Sequence, residues 1–323
     1  MNFFLYTERN LIIVSGNMTI RKYPIQLILV LLLAVAGIGH SQIRMPEKIK
    51  NPFPNKKGAC FSLRSPGKDK KGNAIKGDFL SNMPKVEKLK VGWNYCWSTD
   101  LRSSQPKSVS FAPMVYSVYG NPPVKDITAR LKKSLAVSKQ QKKHTILLGY
   151  NEPDKKNQAN LSVEDALKYW KSLEAQNLPL CSPSCVHPDN KWMTDFMKGV
   201  KEKGLRVDYI GVHNYGNGNV DALKKKLRKA YLAYGKRPLI VTEFAVADWN
   251  ASSTQENRHS PEKVLKFMQQ ILPWMDQQEW ILGYSWFSFD INSKVGTSSA
   301  LFDQKGNLTK LGEFYSNYKS NSK

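Results

Sequence analysis

The chain has 323 residues, of which 41% are hydrophobic and 11% aromatic, and its formal net charge is +23. This length and composition exclude a largely disordered protein and allow one sizeable core, in the size range of a single α/β barrel. The positive charge could indicate a nucleic acid or another polyanion as partner. However, the lysines lie mostly where helices would face solvent, and the lysine-rich stretches contain no recognised nucleic-acid-binding motif. The preferred interpretation is therefore that these lysines lie on solvated helix faces. Adsorption of the protein to anionic polymers is the alternative.

The N-terminal region has the pattern of an export signal. Basic residues at 21 and 22 precede an almost unbroken apolar run, 25–38, and small residues precede Gln42. This pattern predicts a secretory signal peptide cleaved before Gln42, with Met18 as a candidate start and residues 1–17 as an upstream extension. A membrane anchor is the alternative, because the apolar run is only somewhat shorter than the ~20 residues that a span prefers. We expect a secreted, periplasmic or cell-surface protein, without stable membrane insertion after cleavage.

The rest of the chain is predicted to form one main domain, 57–318. Residues 42–56 are rich in proline, lysine and asparagine, which indicates an N-terminal arm, and 319–323 form a C-terminal tail. Eight strands are predicted, at 58–63, 90–98, 109–116, 145–148, 178–184, 207–215, 238–244 and 280–287. Helices are predicted at 79–89, 124–143, from 162 onward, and at 192–203, 220–234, 261–276 and 308–318.

Strands with helices between most of them predict an α/β fold, namely a compact (β/α)8 TIM barrel. The connection between the second and third strands is too short for a full helix, which is typical of a compact barrel. A doubly wound sheet is the alternative, but no glycine-rich phosphate loop follows the first strand. In a (β/α)8 barrel, catalytic residues are expected at the carboxyl ends of the strands.

Two predicted strands each carry a glutamate at the carboxyl end. The apolar run 145–148 leads to Asn151 and Glu152, and Pro153 then ends the strand. Glu243 ends the seventh predicted strand, 91 positions later (243 − 152). Because one barrel unit takes about 30 residues, the two glutamates are predicted on the fourth and seventh strands, facing each other across the barrel mouth. The alternative is that the segment around Glu152 forms only a turn.

Paired glutamates in this position indicate a retaining glycosidase. One carboxylic acid protonates the departing glycosidic oxygen and the other carboxylate attacks the anomeric carbon, with the two about 5–5.5 Å apart. We expect burial and the neighbouring anion to raise the pKa of the acid. Asn151 is a candidate ligand of the sugar 2-hydroxyl. His213 and Tyr215 alternate along the sixth strand and so face one side, where either is a candidate donor to Glu243; a purely structural role is the alternative for His213.

Three tryptophans are candidate platforms for sugar rings. Trp97 precedes a predicted loop, Trp249 lies on a predicted loop beyond the seventh strand, and Trp286 lies near the end of the eighth strand. Indole rings offer flat apolar faces on which sugars stack. Packing in the core is the alternative for Trp97.

The chain has four cysteines, Cys60, Cys96, Cys181 and Cys185. The closely spaced pair Cys181 and Cys185 lacks a second ligand pair with the spacing of a zinc site, so no metal is predicted. A bridge between Cys60 and Cys96 is possible after export, because the first and second strands are neighbours. Buried free thiols are the alternative.

Several of these motifs, in this order, resemble glycoside hydrolase family 128. They are Gly149–Asp154, Val207–Tyr209 with His213 and Tyr215, Val241–Ala245, Tyr284–Phe287, and the ending Ala300–Asp303 with Gly306, Leu308–Thr309, Leu311–Gly312 and Tyr315. The resemblance extends from about residue 57 to 318. It implies an endo-β-1,3-glucanase on a compact (β/α)8 barrel, with Glu152 as acid/base and Glu243 as nucleophile. Asn214 and Cys96 depart from residues often seen in the family, near expected sugar subsites, which leaves cleavage mode and chain-length preference open.

The sequence therefore predicts a secreted, monomeric β-1,3-glucan hydrolase of the laminarin or curdlan type. It is predicted to work without a cofactor or a metal and without a nucleic-acid partner. A non-hydrolytic glucan-binding protein on the same barrel is the alternative, although both glutamates are present. A polyanion-binding surface protein is a third hypothesis, which rests on charge alone.

Overall fold

A computed structural model of the chain describes residues 3–7, 10–15, 19–24, 51–62, 82–99, 106–118 and 146–320, together with six helical residues between 128 and 136. The chain divides into two compact units, Met1–Lys50 and Asn51–Lys323. The first contains the antiparallel strands β1 (Phe3–Thr7), β2 (Asn10–Ser15) and β3 (Thr19–Pro24), in the order β1-β2-β3. Sequence analysis did not predict them, although runs such as Leu11–Val14 favour strands.

The predicted apolar segment of the signal peptide, 25–38, and its cleavage point before Gln42 lie outside the described residues, so export stays a prediction. Where the structure does describe the chain, none of its helices combines the length and the apolar character needed to cross a membrane.

The second unit is built around eight parallel strands. These are β4 (Lys57–Cys60), β5 (Trp93–Tyr95), β6 (Ser110–Phe111), β7 (Leu147–Leu148), β8 (Leu180–Cys181), β9 (Ile210–Gly216), β10 (Leu239–Val246) and β11 (Ile281–Trp286). Six of them form a sheet in the order β6-β5-β4-β11-β10-β9, and β7 pairs with β8. Parallel bridges from Met114 to Leu148 and from Cys181 to Tyr209 link the two groups. The eight strands thus follow one another as in the predicted (β/α)8 barrel.

Helices with both ends among the described residues are α1 (Asn82–Lys88), α2 (Val163–Glu174), α3 (Lys191–Glu202), α4 (Val220–Ala233), α5 (Pro261–Gln277) and α6 (Lys310–Asn317). The predicted starts at Ser162 and Ser260 are confirmed, since each serine accepts a hydrogen bond from the backbone N–H three residues on. The predicted helix 124–143 lies mostly outside the described residues; Leu131 and Leu135 are described and are buried, as its spacing predicts. The connection 100–105 is also outside them.

Two consecutive lysines at the start of the barrel cap helix ends. Lys56 Nζ donates to the carbonyls of Met275, Asp276 and Gln278 at the end of α5. Lys57 Nζ donates at 2.8, 3.1 and 2.8 Å to the carbonyls of Tyr315, Ser316 and Tyr318 at the end of α6. Cations are favourable at helix C-termini, where carbonyls lack partners within the helix. The first barrel strand is thereby tied to the last two helices.

All four cysteines are buried thiols outside any disulfide. The possible bridge between Cys60 and Cys96 is not formed. Cys96 packs beside Phe111, and Cys60 lies under the mouth of the barrel, with its Sγ 3.6 Å from the Trp286 carbonyl oxygen.

Candidate active site

Local backbone features hold the two glutamates at the barrel mouth. Glu152 follows β7 with a φ of 40°, a left-handed conformation that is costly for a residue other than glycine. Its N–H donates to the Ser184 carbonyl at 2.8 Å, which fixes this turn to the neighbouring strand end. Glu243 lies inside β10, where the register against β9 shifts between Val241 and Glu243. Such a bulge re-aims a side chain, and both features are typical of functional sites.

The structure brings Glu152 and Glu243 together around His213. One ligand-type atom from each of the three side chains lies within 4.8 Å of the other two. His213 Nδ1 is hydrogen-bonded to Glu152 Oε1 at 3.1 Å, and its Nε2 lies 3.5 Å from Glu243 Oε1. All three are buried, and His213 is fully inaccessible. Two acidic groups 91 positions apart therefore share one small region at the strand ends.

Three donors surround the Glu243 carboxylate. Tyr95 Oη and Trp97 Nε1 donate to Oε1 at 2.7 and 2.8 Å, and Tyr215 Oη donates to Oε2. Burial, followed by the charge of Glu243, raises the pKa of both phenols well above the usual value. The two tyrosines therefore keep their protons at ordinary pH and act as donors. Tyr215 occupies the predicted place, whereas His213 is hydrogen-bonded to Glu152 and makes no hydrogen bond to Glu243.

The expectation of a raised pKa for Glu152 is wrong. Burial alone would raise it, but the hydrogen bond and charge of His213 together with the Lys155 ammonium lower the pKa below the usual value. Lys155 Nζ lies 3.2 Å from Oε2. In turn, the pKa of His213 is raised: burial would lower it, but the Glu243 charge and the hydrogen bond to Glu152 outweigh that effect. Glu152 is therefore held as an anion between two basic groups.

Asn151 has one amide atom anchored and the other free. Its Nδ2 donates to Gln158 Oε1 at 3.3 Å, and the same oxygen accepts from Tyr116 Oη at 2.6 Å. Asn151 Oδ1 is buried and has no hydrogen-bond partner among the residues that the structure describes. Buried polar atoms are rarely left unpaired, so an acceptor fixed in this way is suited to a ligand hydroxyl.

A cleft of about 680 Å³ lies over the carboxylates. Its lining combines aromatic and polar side chains: Trp97, Tyr116, Asn151, Glu152, Lys155, Gln158, Val186, His187, Tyr215, Lys226, Glu243, Trp249, Phe287 and Phe289. Trp249 is 58% exposed on the loop after β10, as predicted for a platform over the cleft. The predicted positions of Trp97, Asn151 and Tyr215 in this cleft are matched by the structure.

The prediction of Trp286 as a sugar platform is wrong. Its side chain is fully buried, packs against Phe244 and Phe267, and donates through Nε1 to the Ser299 carbonyl at 2.9 Å. Successive side chains of a strand point to opposite faces, so Trp286 faces the surrounding layer while Phe287 turns into the cleft.

The two residues that differ from those often seen in the family, Asn214 and Cys96, lie in different surroundings. Asn214 lines a neighbouring pocket of about 370 Å³ beside the cleft, whereas Cys96 is buried in the core and lies away from the cleft lining.

Sequence reasoning missed Lys155, Gln158 and Phe287, which line the cleft, and Tyr95, which lies buried and donates to Glu243. A signal existed for Tyr95, because it alternates with Trp97 along one strand and so can reach the same side. Lys155 and Gln158 lie in a turn without regular periodicity, so no pattern pointed to them.

Glu152, His213 and Glu243 are also the donor set that a divalent cation would use here. However, both Glu243 oxygens already accept hydrogen bonds from Tyr95, Trp97 or Tyr215, whose protons point toward the carboxylate. These donors suit a carboxylate that acts on its own. The absence of a metal and of a cofactor stays a prediction.

The family described as "Glycosyl hydrolase catalytic core" matches residues 72–315. No curated protein sequence matches the chain. Similar solved structures include a glycoside hydrolase family 128 subgroup I endo-β-1,3-glucanase mutant from Amycolatopsis mediterranei, in complex with laminarihexaose. It is 25% identical, has a TM-score of 0.63, and the match covers 81% of this chain and 98% of that one.

Two more distant structures share the fold. The subgroup II endo-β-1,3-glucanase from Sorangium cellulosum is 22% identical, with a TM-score of 0.61 and coverage of 81% of this chain and 98% of that one. The subgroup VI exo-β-1,3-glucanase from Aureobasidium namibiae is 20% identical, with a TM-score of 0.60 and coverage of 81% and 95%. The chain therefore belongs to the glycosyl hydrolase catalytic core family, and its resemblance to glycoside hydrolase family 128 is confirmed.

Proposed function

We propose that this glycosyl hydrolase cleaves β-1,3-glucan with retention of configuration, with Glu152 as acid/base and Glu243 as nucleophile. The observation that carries the mechanism is the proximity of the two carboxylates, whose nearest oxygens are within 4.8 Å. Retaining enzymes hold the pair about 5–5.5 Å apart, whereas inverting enzymes need about 6.5–9.5 Å to admit a water between carboxylate and sugar. This separation favours direct attack by one glutamate.

In the first step, Glu243 attacks the anomeric carbon while Glu152 gives its proton to the departing glycosidic oxygen. Glu243 suits the nucleophile role because Tyr95, Trp97 and Tyr215 fix both of its oxygens. A nucleophile held in one orientation loses little entropy on reaching the transition state. Glu152 suits the acid role because it lines the cleft opposite Glu243 and is not held by the donors that fix Glu243.

In the second step, Glu152 removes a proton from water, and the resulting hydroxide displaces Glu243 from the sugar. The charge that returns to the Glu243 carboxylate meets three donors already in place, which stabilises the transition state without reorganisation. Once Glu243 has been esterified, its anion no longer acts on His213 and Glu152, which favours the ionised, basic form of Glu152.

The substrate class is proposed from two sources. The similar structures carry β-1,3-glucanase names, and one was solved with laminarihexaose. The cleft itself offers the exposed indole of Trp249, the ring of Phe287 and the unpaired Asn151 Oδ1. Apolar ring faces and a fixed acceptor match the faces and hydroxyl groups of glucose units.

The activity is tested by release of reducing ends from laminarin and curdlan. We expect release by the wild type and none by Glu243→Ala or by the isosteric Glu243→Gln. Binding of glucan without release by the wild type would instead support a non-hydrolytic binding protein.

Retention is tested by NMR of the first-formed product. We expect the β-anomer to appear first and to convert to the mixture of anomers by mutarotation. Initial appearance of the α-anomer would refute the double displacement, even if the enzyme cleaves glucan.

A further inference from the structure

Glu152 has a different partner on each carboxyl oxygen. Oε1 is hydrogen-bonded to His213, which is fully buried, and Oε2 pairs at 3.2 Å with Lys155, whose side chain lines the cleft. A general acid must present its proton to the glycosidic oxygen, and only the cleft side is open to a sugar. Oε2 is therefore the oxygen that must carry the proton. In the structure, the Lys155 ammonium lies beside Oε2, in the position that this proton would take.

Lys155 has a second contact across the cleft. Its Nζ lies 5.9 Å from the centre of the Trp249 indole, and the lysine side chain is 39% exposed. Trp249 is the exposed aromatic platform of the cleft, and its Nε1 donates to the Tyr215 carbonyl at 3.4 Å. A sugar that stacks on this indole competes with the ammonium for the ring. Lys155 thus joins the proposed acid to the surface that a glucose unit would cover.

We propose that Lys155 is a positioning residue that pairs with Oε2 of Glu152 in the empty cleft and leaves it when a sugar stacks on Trp249. Substrate binding then frees Oε2 to take up a proton from solvent, and that proton passes to the departing glycosidic oxygen. In the second half of the reaction, Glu152 regains a proton from the attacking water. The inference rests on the proposed acid/base role of Glu152.

Several other charged or titratable groups share this environment. They are His213 and Tyr215 on β9, Glu243 on β10, Asp154 and Tyr116 in neighbouring turns, His187 after β8 and Lys226 on α4. Within the described part of the chain, Lys155 is the side chain in ion-pair contact with Oε2. Its loss should therefore act on Glu152 directly, whereas loss of a lysine outside the cleft should not.

The sign of the effect follows from the charge. The Lys155 ammonium lowers the pKa of Glu152, so Lys155→Met raises it. Because the acid must be protonated, the alkaline limb of the kcat/KM profile should move to higher pH. An opposite charge at this distance lowers a pKa by roughly 1–3 units, and we expect about 1 unit because Lys155 is partly exposed.

The experiment compares pH profiles of laminarin hydrolysis for the wild type, Lys155→Met and the matched control Lys156→Met. Lys156 is the adjacent, exposed lysine and is not among the residues that line the cleft. We expect Lys155→Met to move the alkaline limb of kcat/KM, which reports the free enzyme, and to leave the limb of kcat nearly unchanged, because substrate has already displaced Lys155. Lys156→Met should change neither limb.

An unchanged kcat/KM limb in Lys155→Met, an equal shift in both limbs, or an equal effect of Lys156→Met would overturn the inference. In each case the wild type still hydrolyses laminarin, so the proposed function stands. Inactivity of the wild type toward laminarin would instead overturn the function.

A second measurement does not depend on turnover. Binding of laminarihexaose to Glu243→Gln is followed by calorimetry in buffers of different ionisation enthalpy. We expect binding to take up protons, and addition of Lys155→Met to reduce that uptake. Uptake that is the same with and without Lys155 would overturn the inference, as would binding without any uptake at every pH.

Discussion

Lys57 offers the sharpest test of how the barrel is held together. It is 2% exposed, and its ammonium donates to three carbonyls at the end of α6. Lys57→Met keeps the apolar stem and removes all three donors. Hydrogen bonds from a charged group are worth about 1.5–3 kcal/mol each, which gives a gross loss of roughly 4.5–9 kcal/mol.

Burial of the charged ammonium offsets part of the stabilisation that these three hydrogen bonds provide. It lowers the pKa of Lys57 from 10.5 to about 8, with the charge of Lys90 adding to the effect. This shift corresponds to a cost of about 3 kcal/mol for the charged form, which methionine does not carry. We therefore expect Lys57→Met to lower the free energy of unfolding by roughly 2–6 kcal/mol.

The pH dependence gives a second readout. Between pH 8 and 10.5 the unfolded chain holds a proton on Lys57 that the folded chain has lost. Stability from this group is therefore fully present above 10.5 and is lost as pH falls through about 8. The difference in unfolding free energy between wild type and Lys57→Met should widen across this range.

Urea unfolding at several pH values measures both effects. The control is Lys88→Met, which removes one exposed hydrogen bond to the Gly306 carbonyl and should cost under about 0.5 kcal/mol. Equal midpoints for wild type and Lys57→Met, or a difference that narrows with rising pH, would refute the reasoning.

Three further predictions concern the site and the N-terminus. Trp249→Ala should raise KM for laminarin with little change in the unfolding midpoint, whereas Trp286→Ala should cost about 3–5 kcal/mol of stability and leave KM of the folded enzyme unchanged; the opposite pattern would restore Trp286 as a platform. Tyr95→Phe should slow hydrolysis of the glycosyl-enzyme by about 10-fold or more, seen as a pre-steady-state burst, and an unchanged kcat would contradict its role as a donor to Glu243. Mass spectrometry of the exported protein should find Gln42 at the N-terminus, and a product that begins at Met1 or Met18 would contradict cleavage there.

The strands could be predicted from the sequence because parallel barrel strands are short apolar runs between amphipathic helices. The positions of the two glutamates at strand ends could be predicted for the same reason. Each glutamate ends such a run, and their spacing corresponds to whole barrel units. Boundaries were less well predicted. The second predicted strand, 90–98, is regular only over Trp93–Tyr95, because 90–92 belong to the turn that precedes the strand and 96–98 bend into a loop at the mouth.

Trp286 and Phe287 show where sequence reasoning was insufficient. Both end the same strand, and both are aromatic, so composition does not distinguish the residue that lines the cleft. The strand's orientation decides it, since alternation places neighbouring side chains on opposite faces. The pKa of Glu152 was missed for a related reason, because Lys155 and His213 act on it through space.

By itself the sequence predicted the architecture and placed a glutamate at the end of two strands, since both follow from periodicity and from what ends each strand. The tertiary structure alone decided which groups surround those acids: Tyr95, Trp97 and Tyr215 on Glu243, and His213 and Lys155 on Glu152. The physical reason is that hydrogen bonds and charge interactions fall off within a few ångströms, so they depend on positions that only the folded barrel brings together.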